Sequence, residues 1–206
     1  MPLSVVLSAN DLAALLSSRI CHDLISPVSA INNAIELFDE GGADEDALQL
    51  IRMSAASASA KLQFARLAYG ASGSSKSEVD TGDAEAVARS LMEFEKSELA
   101  WNAPRLILPK NQVKLMLNLL LIAHSSIPRG GNIYFELSED GSQFSFKVTG
   151  KMLRIPPNFL ALYNNTLTEE VDAHAIQSYY TLLLAEIIGL KIEIIENAED
   201  ITFKVN

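Results

Sequence analysis

Residues 19–29 read RICHDLISPVS, which places a histidine and a helix-breaking proline five positions apart inside a long amphipathic pattern. Outward from this stretch, apolar residues recur at Leu12, Leu16, Ile20, Leu24, Pro27, Ile31, Ile35 and Phe38. Steps of four and three predict one helical stripe from about residue 10 to about residue 39, roughly 45 Å long. Ser8-Ala9-Asn10-Asp11 gives it a start like a capping box. At 40–43 the glycines of EGGA can adopt the left-handed conformation that ends a helix. A second helix is predicted to open at Asp44, with Glu45 and Asp46 meeting the positive end of its dipole. It carries Ile51, Ala55, Ala58, Leu62, Ala65 and Tyr69 in four-three alternation, the spacing of a coiled-coil seam. Two such helices bury too little alone, so the pattern predicts a homodimer that joins two hairpins into a four-helix bundle.

The 206 residues, 49% of them apolar, can bury one good core or two small ones. A net charge of −10 and a pI near 4.7 argue against nucleic acid and anionic membrane as partners, because both repel such a surface. The start MPLSVVLSANDL has neither a basic segment nor a long apolar run, and Asn118 interrupts the apolar stretch around LMLNLLLIA. A cytoplasmic protein is therefore expected. Cys21 is the single cysteine, which rules out an intramolecular disulfide and fits a reducing compartment. It is expected to be a small packed residue rather than a metal ligand, since adjacent helical residues point about 100° apart.

Residues 70–82, GASGSSKSEVDTG, read as a linker, dividing the chain into a hairpin (1–72) and a second domain (73–206). The second part predicts a helix at 83–99, a short strand at RLILP and a helix at 110–127. NIYFELS and QFSFKVTG form a hairpin across EDG, followed by a helix at 171–188 and a last strand pair, LKIEIIE and ITFKV. The fold class is α+β: an N-terminal helical hairpin followed by an α/β sandwich with helices on one face of a mixed sheet.

On the side of the first helix opposite its apolar stripe lie Ser18, Arg19, His22, Ser26, Ser29 and Asn33. An imidazole nitrogen unprotonated near neutral pH is a competent nucleophile toward phosphorus. Asp23 can accept a hydrogen bond from the ring and set its tautomer. Arg19, one turn earlier, offers charge-assisted hydrogen bonds to a phosphoryl group or an acidic partner. Ser26, one turn later, adds a neutral one. Pro27 removes the amide that would bond to the Asp23 carbonyl, bending or loosening the helix after the nucleophile. The other histidines are read as structural or merely exposed: His124 near a helix C-terminus, His174 near the start of the last helix. Trp101 is placed at a domain edge, and acidic residues 169, 170 and 172 at a helix entry.

The run His22-Asp23-Leu24-Ile25-Ser26-Pro27 resembles the His box of bacterial sensor histidine kinases, and the surrounding hairpin resembles their dimerisation and phosphotransfer domain. LNLLLIAHSSIPRGGNIYFEL resembles the asparagine-bearing helix and following strand of their ATP-binding domain. In those kinases a second asparagine holds the magnesium of ATP; here that position is Ile122, which offers no oxygen to a hard cation. The Asp-x-Gly-x-Gly-Ile motif is replaced by Gly150-Lys151-Met152-Leu153-Arg154-Ile155, and the glycine-rich phosphate turn by VDAHAIQSYY. The resemblance thus implies a degenerate ATPase-like domain without nucleotide, cofactor or metal of its own.

With the KLQFARLAYG ending of the second helix, the chain resembles the ChpT-type histidine phosphotransferases of alphaproteobacterial phosphorelays. That resemblance implies a cell-cycle phosphorelay shuttle in which His22 takes a phosphoryl group from the receiver domain of a CckA-like hybrid kinase. It then passes the group to CtrA-like or CpdR-like response regulators, with Mg2+ supplied by the receiver. Two other readings are a histidine kinase with an atypical ATP site, which would autophosphorylate, and a catalytically silent dimeric adaptor, for which His22→Ala would change nothing.

Overall fold

A computed structural model describes residues 3–39, 45–70, 77–168 and 170–206. The turn expected at 40–43, the opening at Asp44, the middle of the linker with its boundary at 72/73, and Glu169 lie outside the described residues.

Helix α1 (Ala9–Asp39) runs through Pro27 without a break, and α2 (Glu45–Tyr69) packs along it. The Ser8 hydroxyl accepts from the Asp11 amide and donates to the Asp11 carboxylate, so the predicted cap is present. The residues that bury are partly different from those expected. Pro27 and Ala34 of α1 are buried, as are Ala47, Ser54, Ala60, Phe64 and Ala68 of α2, whereas Ile35, Phe38, Ala55 and Leu62 stay exposed. Within one chain, α2 therefore turns Ala47, Ser54, Ala60, Phe64 and Ala68 inward and leaves two of its six predicted seam residues, Ala55 and Leu62, uncovered. Cys21, expected to pack, is an exposed free thiol on the outer flank of α1.

Downstream come β1 (Glu78–Asp80), α3 (Thr81–Met92), β2 (Ser97–Asn102), β3 (Ile107–Pro109) and α4 (Lys110–Ser125). They are followed by β4 (Gly131–Leu137), β5 (Phe144–Gly150), α5 (Pro157–Tyr163), α6 (Ile176–Ile188), β6 (Ile192–Glu196) and β7 (Ile201–Val205). The main sheet has the order β2-β4-β5-β7-β6, with β2 parallel to β4 and the other pairs antiparallel. Along β4, β5 and β7 one side chain in two is buried, including Ile133, Phe135, Phe146, Val148, Ile201 and Phe203, so one sheet face packs and the other meets solvent. Helix α4 is buried from Val113 to Leu120, as expected of a helix that is apolar nearly all round. It lies against β5 and is flanked by α2, α3 and α6.

Strands β1 and β2 and helix α5 differ from expectation, α5 forming where the sequence predicts no element. The helix predicted over 83–99 ends at Met92, and residues 97–102 become β2, an edge strand whose Trp101 ring lies tilted against Phe135 with centroids 4.1 Å apart. Pairing with β4 overrides the weak local pattern there. A three-residue strand, β1, forms inside the presumed linker and pairs with β3. Asp80 closes it: its carboxylate accepts from the Gly82 amide at the start of α3 and from Arg105.

Phe64 and Ala68 of α2 belong to the same buried cluster as α4, α6 and the sheet, with Leu12, Leu15 and Leu16 of α1 packed against it. The extended segment before α1 adds a strap across the C-terminal part. Its Leu3, Ser4 and Leu7 amides donate to Glu186, Asn165 and Tyr179. The hairpin is thereby held in one orientation to the sheet-bearing part.

Candidate functional site

His22 projects from the middle of α1 with its side chain 73% exposed. Helical spacing brings Asp23 and Arg19 beside it. Arg19 Nε donates to Asp23 Oδ2 at 3.0 Å, and the other carboxylate oxygen faces His22 Nδ1 at 3.4 Å. An ionised carboxylate only accepts, so this contact favours the tautomer with the proton on Nδ1 and leaves Nε2 with its lone pair. At 3.4 Å the contact biases the ring rather than locking it. Ser26 lies one turn further on, exposed, as the spacing predicts.

Pro27 is buried. Its missing amide leaves the Asp23 carbonyl without its donor in the helix ladder, and Lys61 Nζ of α2 donates to that oxygen at 3.2 Å. The expectation that proline would loosen the helix gives way to a specific substitution of one donor for another.

The sheet-bearing part supplies a neighbour that sequence spacing did not reveal. His174 stands edge-on to His22, with ring centroids 6.4 Å apart. The turn that carries it is fixed by Asp172, whose Oδ1 accepts from the amides of His174 and Ala175 just before α6. No local pattern links the two rings; only docking of α6 against α1 does.

Behind this pair opens a cleft of about 500 Å³ between the hairpin and the sheet-bearing part. Arg19, Asp23, Lys61, Glu95, His124 and His174 contribute its polar lining, and Leu91, Leu121, Ile122 and Phe64 its apolar walls. His124, read from sequence as structural or merely exposed, bridges Ser97 Oγ at Nδ1 (3.0 Å) and Glu95 Oε2 at Nε2 (3.3 Å). That hydrogen bond holds the Glu95 carboxyl below its ordinary range, and the Lys61 charge adds to the effect.

Behind Tyr69 and Gln177 of the cleft lining, Asn118 is fully buried and its side-chain amide donates to the carbonyls of Ala68 (3.1 Å) and Lys114 (2.8 Å). Its own oxygen accepts from Gln177 of α6 at 2.8 Å, and the Gln177 oxygen accepts from the Tyr69 hydroxyl. Burial pushes the Tyr69 hydroxyl well above its ordinary pKa, which keeps it a donor. The asparagine that resembles a nucleotide-site residue is thus a brace joining α2, α4 and α6.

Among the described residues no cluster of three or more His, Cys, Asp or Glu side chains has the arrangement of a metal site, and no helix is long and apolar enough to cross a membrane. What the arrangement can do is present one oriented, solvent-facing imidazole nitrogen, with cations on Arg19 and Lys61 nearby.

Residues 81–200 match the family described as the histidine phosphotransferase C-terminal domain. Over 206 aligned residues the chain is 57% identical to the protein phosphotransferase ChpT of Brucella abortus (strain 2308), covering 98% of this chain and 99% of that one. A solved structure of a bacterial phosphotransferase superposes over 100% of both chains with a TM-score of 0.94 and 54% identity.

Proposed function

Because the chain belongs to the ChpT-type histidine phosphotransferases, we propose that His22 is its phosphoacceptor and that it relays a phosphoryl group between receiver domains. The observation that carries this reading is the exposed His22 ring with Asp23 against Nδ1.

In the first half-reaction the Nε2 lone pair attacks phosphorus of a receiver's aspartyl phosphate. The N–P bond forms as the P–O bond to the aspartate breaks, and the carboxylate leaves with the bonding pair. The imidazole becomes cationic, and Asp23 at Nδ1 stabilises that charge. The second half-reaction is the same displacement in reverse, onto the aspartate of another receiver. Positioning and charge neutralisation supply most of the rate enhancement in such transfers; Arg19 neutralises charge from this chain, and Mg2+ from the receiver. Ser26 adds a hydroxyl on the docking face. Donor and acceptors are the receiver of a CckA-like hybrid kinase and CtrA-like or CpdR-like regulators, in the cytoplasm.

Residues 73–206 serve in this reading as a docking and bracing domain rather than an ATPase. Supporting it, Ile122 sits in the cleft wall where a metal-binding asparagine would be needed, and Asn118 is committed to the brace. The protein acts as a homodimer through the apolar residues that the hairpin leaves uncovered.

The test is transfer of labelled phosphate from a phosphorylated receiver to the purified protein. Wild type should acquire acid-labile, base-stable label, and His22→Gln none. Equal labelling of both, or label that never leaves the receiver, refutes the assignment. Incubation with labelled ATP and Mg2+ should leave wild type unlabelled.

A further inference from the structure

Helix α1 contains a built-in vacancy next to its candidate nucleophile. Residue 27 is proline, so the Asp23 carbonyl has no amide four residues ahead to receive. An unpaired carbonyl between two packed helices costs free energy and leaves its turn free to reorient. That turn carries both His22 and Asp23.

The vacancy is filled from the other helix. Lys61 Nζ donates to Asp23 O at 3.2 Å in a part-buried position. It follows Ala60 and precedes Phe64 on α2, both buried, so the backbone from which it extends is anchored in packed helix. Asp23 is consequently held at three atoms: Oδ2 by Arg19, O by Lys61, and Oδ1 directed at the His22 ring.

We propose that Lys61 is a positioning residue for phosphoryl transfer: it replaces the amide that Pro27 lacks and so fixes the turn from which Asp23 orients His22. Lys61 acts through the backbone of Asp23 and needs no contact with the phosphoryl group. The inference rests on the reading of His22 as phosphoacceptor.

The discriminating experiment is a double-mutant cycle read by rapid-quench transfer from a phosphorylated receiver, with maximal rate and half-saturating receiver concentration measured separately. Lys61→Met should lower the maximal rate about tenfold while leaving half-saturation within about twofold, because a misaimed turn impairs the displacement and not the docking. Lys61→Arg, which keeps a cationic donor, should recover most of the rate. Pro27→Ala restores an amide to Asp23 O. Whatever that substitution does alone, adding Lys61→Met to it should cost less than about twofold.

An equal loss in both backgrounds overturns the proposal, since Lys61 would then act by some route other than the missing amide. So does a change confined to half-saturation, which would make it a docking contact, or no change at all. Should Lys61→Met alone fail to fold by circular dichroism, the two proteins carrying Pro27→Ala decide: similar rates support the proposal and a tenfold gap refutes it. His22→Gln run alongside separates the premises, because label on that variant would sink the phosphoacceptor reading whatever Lys61 does.

Discussion

Asp23 couples the cation on Arg19 to the ring of His22, and its effect on the reaction follows from geometry. The carboxylate lies 3.0 Å from Arg19 Nε and 3.4 Å from His22 Nδ1. Removing it frees the ring to rotate and, in the proposed transfer, takes the counter-charge from the imidazolium that attack would form. Asp23→Ala should therefore lower the maximal transfer rate by ten- to a hundredfold, on the order expected for misplacing a reacting group, with little change in half-saturation by the receiver. A rapid-quench series over receiver concentration measures both. Arg19, His22, Asp23, Ser26 and Pro27 are legible in the sequence as neighbours along one helix, where spacing puts His22 on the polar side and Pro27 in the apolar stripe. Lys61 and His174 are not. They reach the site from α2 and from the turn before α6, and their placement depends on helix docking that no window of local sequence encodes. The proline was a partial signal: it implies an unpaired carbonyl, but not which donor answers it.

The elements are joined by polar contacts as well as by the core, and these contacts set two expectations for stability. Asn118 is buried and pairs with Ala68, Lys114 and Gln177. Asn118→Leu leaves the Ala68 carbonyl without that partner, at a cost of about 1–3 kcal/mol for an orphaned buried group, and leaves the Gln177 amide only its longer contact to the backbone oxygen of residue 118. Urea unfolding should show it as a lower midpoint. The Glu95–His124 contact gives a pH dependence. Its hydrogen bond lowers the Glu95 pKa in the folded state, so the stabilisation is fully present above the ordinary glutamate value of 4.5 and is lost as pH falls through the lower folded value. His124→Gln should flatten that acid-side loss in a series of urea midpoints from about pH 6 to pH 3. Strands β4, β5 and β7 could be read from the sequence because their buried side chains alternate with period two. Helix α4 declared itself by length and apolarity. Strand β2 is hidden from a local reading because Ser97, Leu99 and Trp101 are only a short, half-buried inward set directly after a helix, and its parallel partner lies across α4 in the chain. The seven residues of α5 start at Pro157, directly after Pro156, in a stretch too short for a helical period to register.

At the scale of the molecule, the core is continuous from the lower half of α2 through α4 and α6 to the sheet, whereas the distal half of the hairpin is thin. There Val28, Ile35 and Phe38 of α1 stand 47%, 43% and 40% exposed, and nearer the core Leu62 of α2 is 52% exposed. Their spacing continues the coiled-coil repeat that the sequence displays, yet α1 and α2 do not cover them within one chain. An acidic chain with a net charge of −10 has no electrostatic reason to leave such a band in water; contiguous apolar patches of this kind mark association surfaces. In the proposed homodimer a second copy would present the same seam here, leaving His22 outward, on the other side of α1. The double variant Ile35→Glu/Phe38→Glu tests this directly. Both side chains are already partly solvated in the single chain, so the charges leave its own core intact while placing like charges across a two-fold seam. Wild type should sediment at twice the chain mass and unfold at a temperature that rises with protein concentration, as linked folding and association require. The variant should sediment at the chain mass with a concentration-independent, lower unfolding temperature. A variant that remains dimeric would move the interface to a different surface and leave the exposed seam without a role in self-association.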